Sequence, residues 1–251
     1  MILMGEKSSM NIAIVFAGGV GKRMKTKSKP KQFLNLFGDP IIVHTLRRFE
    51  ACQKIDKIIV VMLRSYISYM NDIVEKYGLQ KVTSVVPGGK TGQQSIFNGI
   101  SEAKRLFGAE GNIVLIHDGV RPCFEDDLID RCIEAVKKYG SAISCVPATE
   151  TTTQVDIENS EIKGIVDRDS CYLARAPQCF RLGDLYRWHM KAQEANDYSV
   201  VDSCSMMLSY GDGVPHVVKT IPENIKVTTP IDYYIIRAVI EARDELTVPE
   251  I

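Results

Sequence analysis

Short apolar runs alternate with longer amphipathic segments along most of this 251-residue chain. Five runs are short and rich in β-branched residues, which predicts buried strands at Ile12–Phe16, Ile58–Met62, Val82–Val86, Ile113–Ile116 and Ala142–Val146. Helical spacing of apolar residues predicts helices at Pro40–Cys52, Tyr66–Tyr77, Ser95–Leu106, Asp127–Tyr139, Leu182–Ala195, Asp202–Tyr210 and Ile231–Ala242, with one more strand at Val214–Thr220. This alternation predicts an α/β fold, in which helices cover both faces of a mostly parallel sheet.

One polar, threonine-rich segment, Pro147–Gln178, interrupts the alternation. Two β-like runs, Thr151–Val155 and Ile162–Val166, flank a turn-like stretch, which predicts a protruding β-hairpin arm at about 148–175. An isolated hairpin is only marginally stable in water, so we expect the arm to pack against a second subunit in a homodimer. A floppy surface loop is the alternative. Nothing resembles a linker, so residues 10–251 are expected to form a single domain.

Composition narrows the class of protein. Hydrophobic residues make up 45% and charged residues 25% of the chain, which is ordinary for a globular enzyme, and the zero formal net charge offers no global field for nucleic acid or an acidic membrane. No apolar run approaches the length of a membrane span. The seven scattered cysteines contain no C-x-x-C pair, which indicates free thiols in the cytoplasm. Residues 1–9 lack a signal-peptide core and are expected to be a disordered extension.

The loop after the first strand is the strongest chemical signal. The sequence Ala17-Gly18-Gly19-Val20-Gly21 brings backbone close to a ligand, and the residues 22–31 that follow are rich in lysine and arginine. Backbone N–H groups and cations at a strand end predict a phosphate site, although a solvated basic turn is the alternative. The P-loop pattern fails because Arg23 stands where Ser or Thr is required, and the dinucleotide pattern fails at Met24. An NAD-dependent oxidoreductase is therefore disfavoured, though this test alone does not exclude it.

Two more loops of the same kind follow strands three and four. The first is the glycine-rich stretch Pro87–Ser95, and the second is His117-Asp118-Gly119-Val120-Arg121-Pro122. The carboxyl ends of parallel strands meet at one edge of a sheet, where ligands bind. All three loops are therefore expected to converge on one ligand site.

Six motifs occur together in this order, and together they resemble the CTP-dependent sugar- and polyol-phosphate cytidylyltransferases. They are Ala17-Gly18-Gly19-x-Gly21-x-Arg23-Met24, Pro30-Lys31-Gln32-Phe33, Gly88-Gly89 with Ser95, His117-Asp118-x-x-Arg121-Pro122, Asp167-Arg168 upstream of Pro177-Gln178-x-Phe180, and Asn224-Ile225-Lys226-Val227-Thr228. That family includes the methylerythritol-phosphate enzyme of isoprenoid synthesis and the ribitol-5-phosphate enzyme of teichoic-acid and capsule synthesis. The resemblance runs from about Met10 to Ala242.

The resemblance implies a Rossmann-like fold of the nucleotide-diphospho-sugar transferase type and transfer of CMP from CTP to a polyol or sugar phosphate, with Mg²⁺ as cofactor. The resemblance also implies roles for individual residues, and the catalytic cations are expected to be Arg23, Lys31 and Lys226. The CTP site is expected to consist of Ala17, Gly18, Gly19, Gly21, Gly89, Ser95 and Asp118, with Asp118 also a candidate metal ligand. The acceptor is expected to contact Arg121, Thr151 and Arg168, the last two reaching it from the arm of the partner subunit.

Three departures from the family pattern concern the acceptor. Gly92 stands where both branches usually have arginine, Ala176 replaces the threonine of Thr-Pro-Gln, and Val201 replaces a hydroxyl residue before Asp202. Sites built on hydroxyl hydrogen bonds are poorly reproduced by alanine and valine. We therefore expect ribitol 5-phosphate, or a related alditol or sugar phosphate, rather than the alternative, 2-C-methyl-D-erythritol 4-phosphate. A non-catalytic nucleotide-binding module is the alternative from another class.

Overall fold

A computed structural model describes residues 9–19, 22–24 and 29–245, so most of the predicted amino-terminal extension, and Gly21, lie outside the described residues. The described chain forms strands β1 (Asn11–Ala17), β2 (Asn35–Leu36), β3 (Asp39–Pro40), β4 (Lys57–Met62), β5 (Val82–Pro87), β6 (Ile113–Asp118), β7 (Ser141–Pro147), β8 (Thr153–Asp156), β9 (Glu161–Ile165), β10 (Tyr172–Arg181) and β11 (Val217–Lys219). Its α-helices are α1 (Ile41–Ala51), α2 (Ile67–Lys76), α3 (Gly92–Phe107), α4 (Leu128–Tyr139), α5 (Leu182–Glu194), α6 (Ser203–Tyr210) and α7 (Pro230–Glu245).

The central sheet has seven strands in the order β11-β7-β10-β6-β1-β4-β5. All neighbours are parallel except β10, which runs antiparallel between β6 and β7. The predicted α/β fold with a mostly parallel sheet is thus confirmed. Strand β10 was not predicted, because Pro177 argues against a central strand. The pairing of β10 with β7 shifts between Ala174 and Gln178, and this irregularity accommodates the proline.

Helices cover both faces of the sheet because successive side chains of each strand point to opposite faces. Val15 of β1 faces a buried cluster with Phe49 and other residues of α1, α2 and α4. Its neighbour Ile14 faces a second cluster with Trp188 and other residues of α3, α5 and α6. Helix α3 packs closely on the sheet at Gly99, where an added Cβ would lie 2.5 Å from Cγ2 of Ile14. None of the helices in the described ranges combines the length and apolarity that a membrane crossing requires.

Strands β8 and β9 form the predicted hairpin, as a two-stranded sheet separate from the central one. Its apolar side chains are largely exposed, from 51% at Val155 to 89% at Ile157. The central strand β10 already begins at Tyr172, so the last residues of the segment expected to be arm belong to the sheet instead.

A third apolar cluster lies outside the main layers. It joins the small β2–β3 hairpin to the carboxy-terminal helix α7 through buried residues that include Leu36, Val120, Val227 and Ile236. Because this cluster holds Val120 after β6 and Val227 before α7 together, it brings two distant loops to the carboxyl edge of the sheet.

Candidate active site

A cavity of about 760 Å³ opens at the carboxyl ends of β1 and β6. Its wall includes the loops after these strands, the loop before α3, and the middle of β10. Within the described part of the chain, two carboxylates, Asp118 and Asp202, line it against six cationic side chains: Arg23, Lys31, Lys90, Arg121, Arg175 and Lys226. A concave site with this excess of positive charge can bind a polyanion of small-molecule size.

Most of the residues predicted from sequence come together in this cavity. It is lined by Ala17, Gly18, Gly19, Arg23, Lys31, Gly89, Ser95, Asp118, Arg121 and Lys226. Thr151 and Arg168 do not line it; both are exposed beside the arm. The three loops thus converge as expected, whereas the two arm residues do not reach the cavity of their own chain.

Asp118, at the end of β6, is held by two cations. Its Oδ2 accepts from Nε of Arg121 at 2.8 Å, and its Oδ1 pairs with Nζ of Lys226 at 2.5 Å. Burial raises the pKa of Asp118, but the charges of Lys226 and Arg121 outweigh burial and hold that pKa well below its usual range. Asp118 is therefore ionised. It joins Arg121, three residues away, to Lys226, which is more than 100 residues away in sequence.

Lys31 lies in a short helical turn and is 9% exposed. Its Nζ donates to the carbonyl of Val227 at 2.7 Å. Burial, followed by the nearby charge of Lys226, lowers the pKa of Lys31 to about 8. The ammonium is thus short of counter-charge, which a bound anion would supply.

Binding of CTP is therefore expected to be linked to proton uptake by Lys31. In the unfolded chain this lysine titrates near 10.5, so between about pH 8 and 10.5 the unfolded state binds more protons, and this group makes stability rise with pH there. A bound triphosphate reverses the shift, so CTP affinity should fall as pH rises through about 8. Calorimetry near pH 8 in buffers of different ionisation enthalpy should detect proton uptake. The same uptake in Lys31→Met would contradict this assignment.

The glycine-rich loop is anchored from its flanks. Gln32, which is buried, donates from Nε2 to the carbonyl of Ala17 at the end of β1. Arg23, by contrast, is exposed on the short turn Lys22–Met24, and its neighbour Met24 is buried in the third apolar cluster. Arg23 is therefore an exposed cation next to a buried residue. An added Cβ at Gly18 or Gly19 would meet no atom of the described residues within 4 Å.

The second glycine-rich loop folds back on the start of α3. Thr91 caps this helix by accepting from the backbone N–H of Gln94, and Oγ of Ser95 accepts from the N–H of Gly89 at 3.0 Å. An added Cβ at Gly89 would lie 2.3 Å from Cβ of Gln94, so this position requires glycine. The Ser95 hydroxyl thus shapes the loop, besides lining the cavity.

The segment before α7 ties the cavity wall together through Asn224, a residue that the sequence prediction gave no role. Its buried Nδ2 donates to the carbonyl of Ala176 at 2.7 Å, while its own carbonyl accepts from Nη1 of Arg121 at 2.8 Å. His117 supports the same turn, since its Nε2 bonds the carbonyl of Arg121 at 3.0 Å. Burial lowers the pKa of His117 to about 4, so it is neutral near pH 7.

The wall around β10 contains two of the three positions that depart from the expected pattern, Ala176 and Val201. Ala176 is buried, whereas Val201 is 84% exposed, and both line the cavity. Gln178 donates to Oδ2 of Asp202 at 2.9 Å, and Asp202 caps α6. Arg175 lies in this wall too and was missed from sequence, because β10 itself was not predicted.

The described wall of the cavity lacks a group of side chains that could by itself hold a divalent cation. Among residues 9–19, 22–24 and 29–245, no group of three or more His, Cys, Asp or Glu side chains could hold a metal. Of the two carboxylates in the wall, Asp118 pairs with cations and Asp202 caps a helix. This donor set suits Mg²⁺ that enters on phosphate oxygens and takes at most one or two carboxylates from the protein.

Comparison with known proteins identifies relatives of this chain in sequence and in fold. The model of the IspD family, described as 2-C-methyl-D-erythritol 4-phosphate cytidylyltransferase, matches residues 11–242. A ribitol-5-phosphate cytidylyltransferase from Vibrio parahaemolyticus is 47% identical over 239 residues, covering 95% of this chain and 99% of the relative. A 2-C-methyl-D-erythritol 4-phosphate cytidylyltransferase from Clostridium novyi is 39% identical over 225 residues, covering 89% and 94%. The crystal structure of a 4-diphosphocytidyl-2C-methyl-D-erythritol synthase from Anaerococcus prevotii has a TM-score of 0.78 at 26% identity, covering 93% and 96%.

Proposed function

This chain belongs to the IspD family of cytidylyltransferases, and on that premise we propose that it transfers CMP from CTP to ribitol 5-phosphate. The products are CDP-ribitol and pyrophosphate. The observation that carries the proposal is the cavity itself. Its described lining contains six cations and two carboxylates, and both carboxylates have partners within the protein.

The reaction requires positioning and charge more than proton transfer. A phosphate oxygen of the acceptor attacks the α-phosphorus of CTP in line, a new P–O bond forms, and the bond to the leaving pyrophosphate breaks. The attacking oxygen is already anionic near neutral pH, so no strong general base is required. This agrees with His117, which is buried, neutral and hydrogen-bonded to the backbone.

Three cations are assigned to the reacting phosphates: Arg23, Lys31 and Lys226. Lys31 donates to the carbonyl of Val227 and Lys226 pairs with Asp118, while Arg23 is exposed to an incoming ligand. Fixed cations aimed at developing charge lower the barrier, because they need no reorganisation during the reaction. Ala17, Gly18, Gly19, Gly21, Gly89 and Ser95 are proposed to surround the nucleotide.

Mg²⁺ is the proposed cofactor, carried into the cavity by the triphosphate, with Asp118 as the carboxylate that could join its coordination. When bound, it neutralises phosphate charge and favours departure of pyrophosphate. Lys226 and Arg121 would share Asp118 with it, and these two cations keep the carboxylate ionised.

The preference for ribitol 5-phosphate rests first on sequence identity and second on the residues of the acceptor wall. Identity to the ribitol-5-phosphate relative is 47%, compared with 39% to the methylerythritol relative. Ala176 and Val201 also make the wall around β10 apolar at two positions where a hydroxyl is expected in the family. Methylerythritol 4-phosphate remains the alternative acceptor.

The active site is proposed to be shared across a homodimer in the cytoplasm. Thr151 and Arg168 are exposed beside an arm whose apolar side chains, Ile157, Ile162 and Ile165, are 68% to 89% exposed. A second copy would cover these side chains and bring the two polar residues to its cavity. The seven free cysteines support a reducing compartment.

Separate incubations with CTP, Mg²⁺ and each acceptor test the proposal. Pyrophosphate release should be at least about tenfold faster with D-ribitol 5-phosphate than with methylerythritol 4-phosphate, because losing matched hydrogen bonds at a polar site costs about that much or more. Release with methylerythritol 4-phosphate alone would overturn the acceptor assignment. No turnover of CTP with any polyol phosphate, with Arg23→Ala as the background control, would favour a non-catalytic nucleotide-binding module instead.

A further inference from the structure

Arg175 is a charged side chain in the cavity wall, and no other described residue pairs with it. It lies on β10, lines the cavity, and is partly buried. Its Nε is buried and has no hydrogen-bond partner among the residues that the structure describes. A buried donor without a partner costs free energy, so the described part of the protein does not fully satisfy this guanidinium.

The surroundings of Arg175 contain another guanidinium rather than a counter-ion. Burial, followed by the charge of Arg121, lowers the pKa of Arg175. Asp118 already pairs with Arg121 and Lys226, and Asp202 caps α6 and accepts from Gln178. No ion pair to Arg175 occurs within the described ranges, so its charge is left for a ligand.

The position of Arg175 connects it with the acceptor rather than with CTP. It directly precedes Ala176 on β10, and Ala176 and Val201 are the positions at which this chain lacks hydroxyl groups expected in its family. Gly92, which also lines the cavity, stands where the family usually has an arginine. Arg175 supplies up to five N–H donors in this same wall.

We propose that Arg175 binds the acceptor, donating from its guanidinium to oxygen atoms of the polyol phosphate, and that it helps to select which acceptor is used. The inference rests on the proposed cytidylyl transfer. The phosphate and the hydroxyl groups of the polyol both have oxygen atoms that accept hydrogen bonds. The planar guanidinium, with its parallel N–H donors, can bind either of them.

Steady-state kinetics of Arg175→Gln and Arg175→Lys test this role. The glutamine variant should raise KM for D-ribitol 5-phosphate by about tenfold or more, the usual result of losing a charge-assisted hydrogen bond, with KM for CTP changed less than about twofold. The lysine variant keeps the charge but loses the planar pair of donors, so its KM for D-ribitol 5-phosphate should lie between those of the unaltered chain and the glutamine variant. Arg181→Gln is the matched control, because Arg181 is an exposed arginine of the same strand outside the cavity.

A shorter acceptor identifies which oxygens Arg175 contacts. If Arg175 binds the phosphate, the glutamine variant should raise KM equally for ribitol 5-phosphate and glycerol 3-phosphate. If Arg175 binds the hydroxyl groups of the polyol, only KM for ribitol 5-phosphate should rise. Unchanged acceptor KM in both variants, or a larger change for CTP, would overturn the inference while leaving cytidylyl transfer intact. Absence of turnover by the unaltered chain would overturn the proposed function, and the inference with it.

Discussion

Replacing Lys31 by alanine is expected to lower kcat/KM by about a thousandfold, which is typical for removing one fixed charge from phosphoryl-transfer machinery. Lys31 is buried, donates to the carbonyl of Val227, and is held near Lys226 and Arg23 where the reacting phosphates are proposed to lie. Its carbonyl partner orients the ammonium before substrate arrives. The measurement is the initial rate of pyrophosphate release at saturating Mg²⁺.

Two observations separate this loss from unfolding or from a general effect of charge. The lowered pKa of Lys31 means that the folded chain disfavours its charged form, so Lys31→Ala should melt no lower than the unaltered chain near pH 7. Lys29→Ala is the control, because Lys29 is exposed in the same basic loop and contacts the ring of Tyr69 instead of the cavity. Equal losses of kcat/KM in Lys31→Ala and Lys29→Ala would contradict a specific catalytic role for Lys31.

Mixing two inactive variants is expected to restore activity if the arm acts across the dimer. Arg168→Ala and Lys31→Ala should each be nearly inactive alone. In a mixed dimer, the cavity of the Arg168→Ala subunit is intact and receives an intact arm from its partner. Random exchange of subunits should therefore recover about a quarter of the unaltered activity, since half of the dimers are mixed and one of their two sites works.

The control for this experiment is a mixture of Lys31→Ala with Arg23→Ala. Both changes lie in the same cavity, so a mixed dimer contains no complete site and should stay inactive. Formation of mixed dimers is checked by differently tagged subunits. Confirmed mixed dimers that stay inactive in the Arg168 experiment would contradict the shared site.

The convergence of the three loops could be predicted from sequence because it follows from local signals. Buried strands such as Ile12–Phe16 can be recognised from their runs of apolar residues. Parallel strands then bring the loops that follow them to one edge of the sheet. Gly18, Asp118 and Arg121 are therefore expected to lie close together, and the structure places all three in one cavity.

The wall formed by β10 could not be predicted in the same way. Its pairing partners are far away in sequence, and Pro177 hides the strand because proline normally excludes a central position. Because the strand was not predicted, no sequence feature placed Arg175 in the cavity wall. The link from Arg121 to Asn224 spans 103 residues and depends on a backbone carbonyl, which no residue pattern reveals.

The central claim is that this cationic cavity transfers CMP to ribitol 5-phosphate, and a competition experiment tests it most directly. Equal concentrations of D-ribitol 5-phosphate and 2-C-methyl-D-erythritol 4-phosphate are incubated with limiting CTP and Mg²⁺, and mass spectrometry measures the two products in one sample. The ratio of products reports the ratio of kcat/KM values, which defines specificity. We expect CDP-ribitol to predominate by about tenfold or more, and to disappear in Lys31→Ala. A predominance of the methylerythritol product, or no nucleotide product at all, would contradict the account.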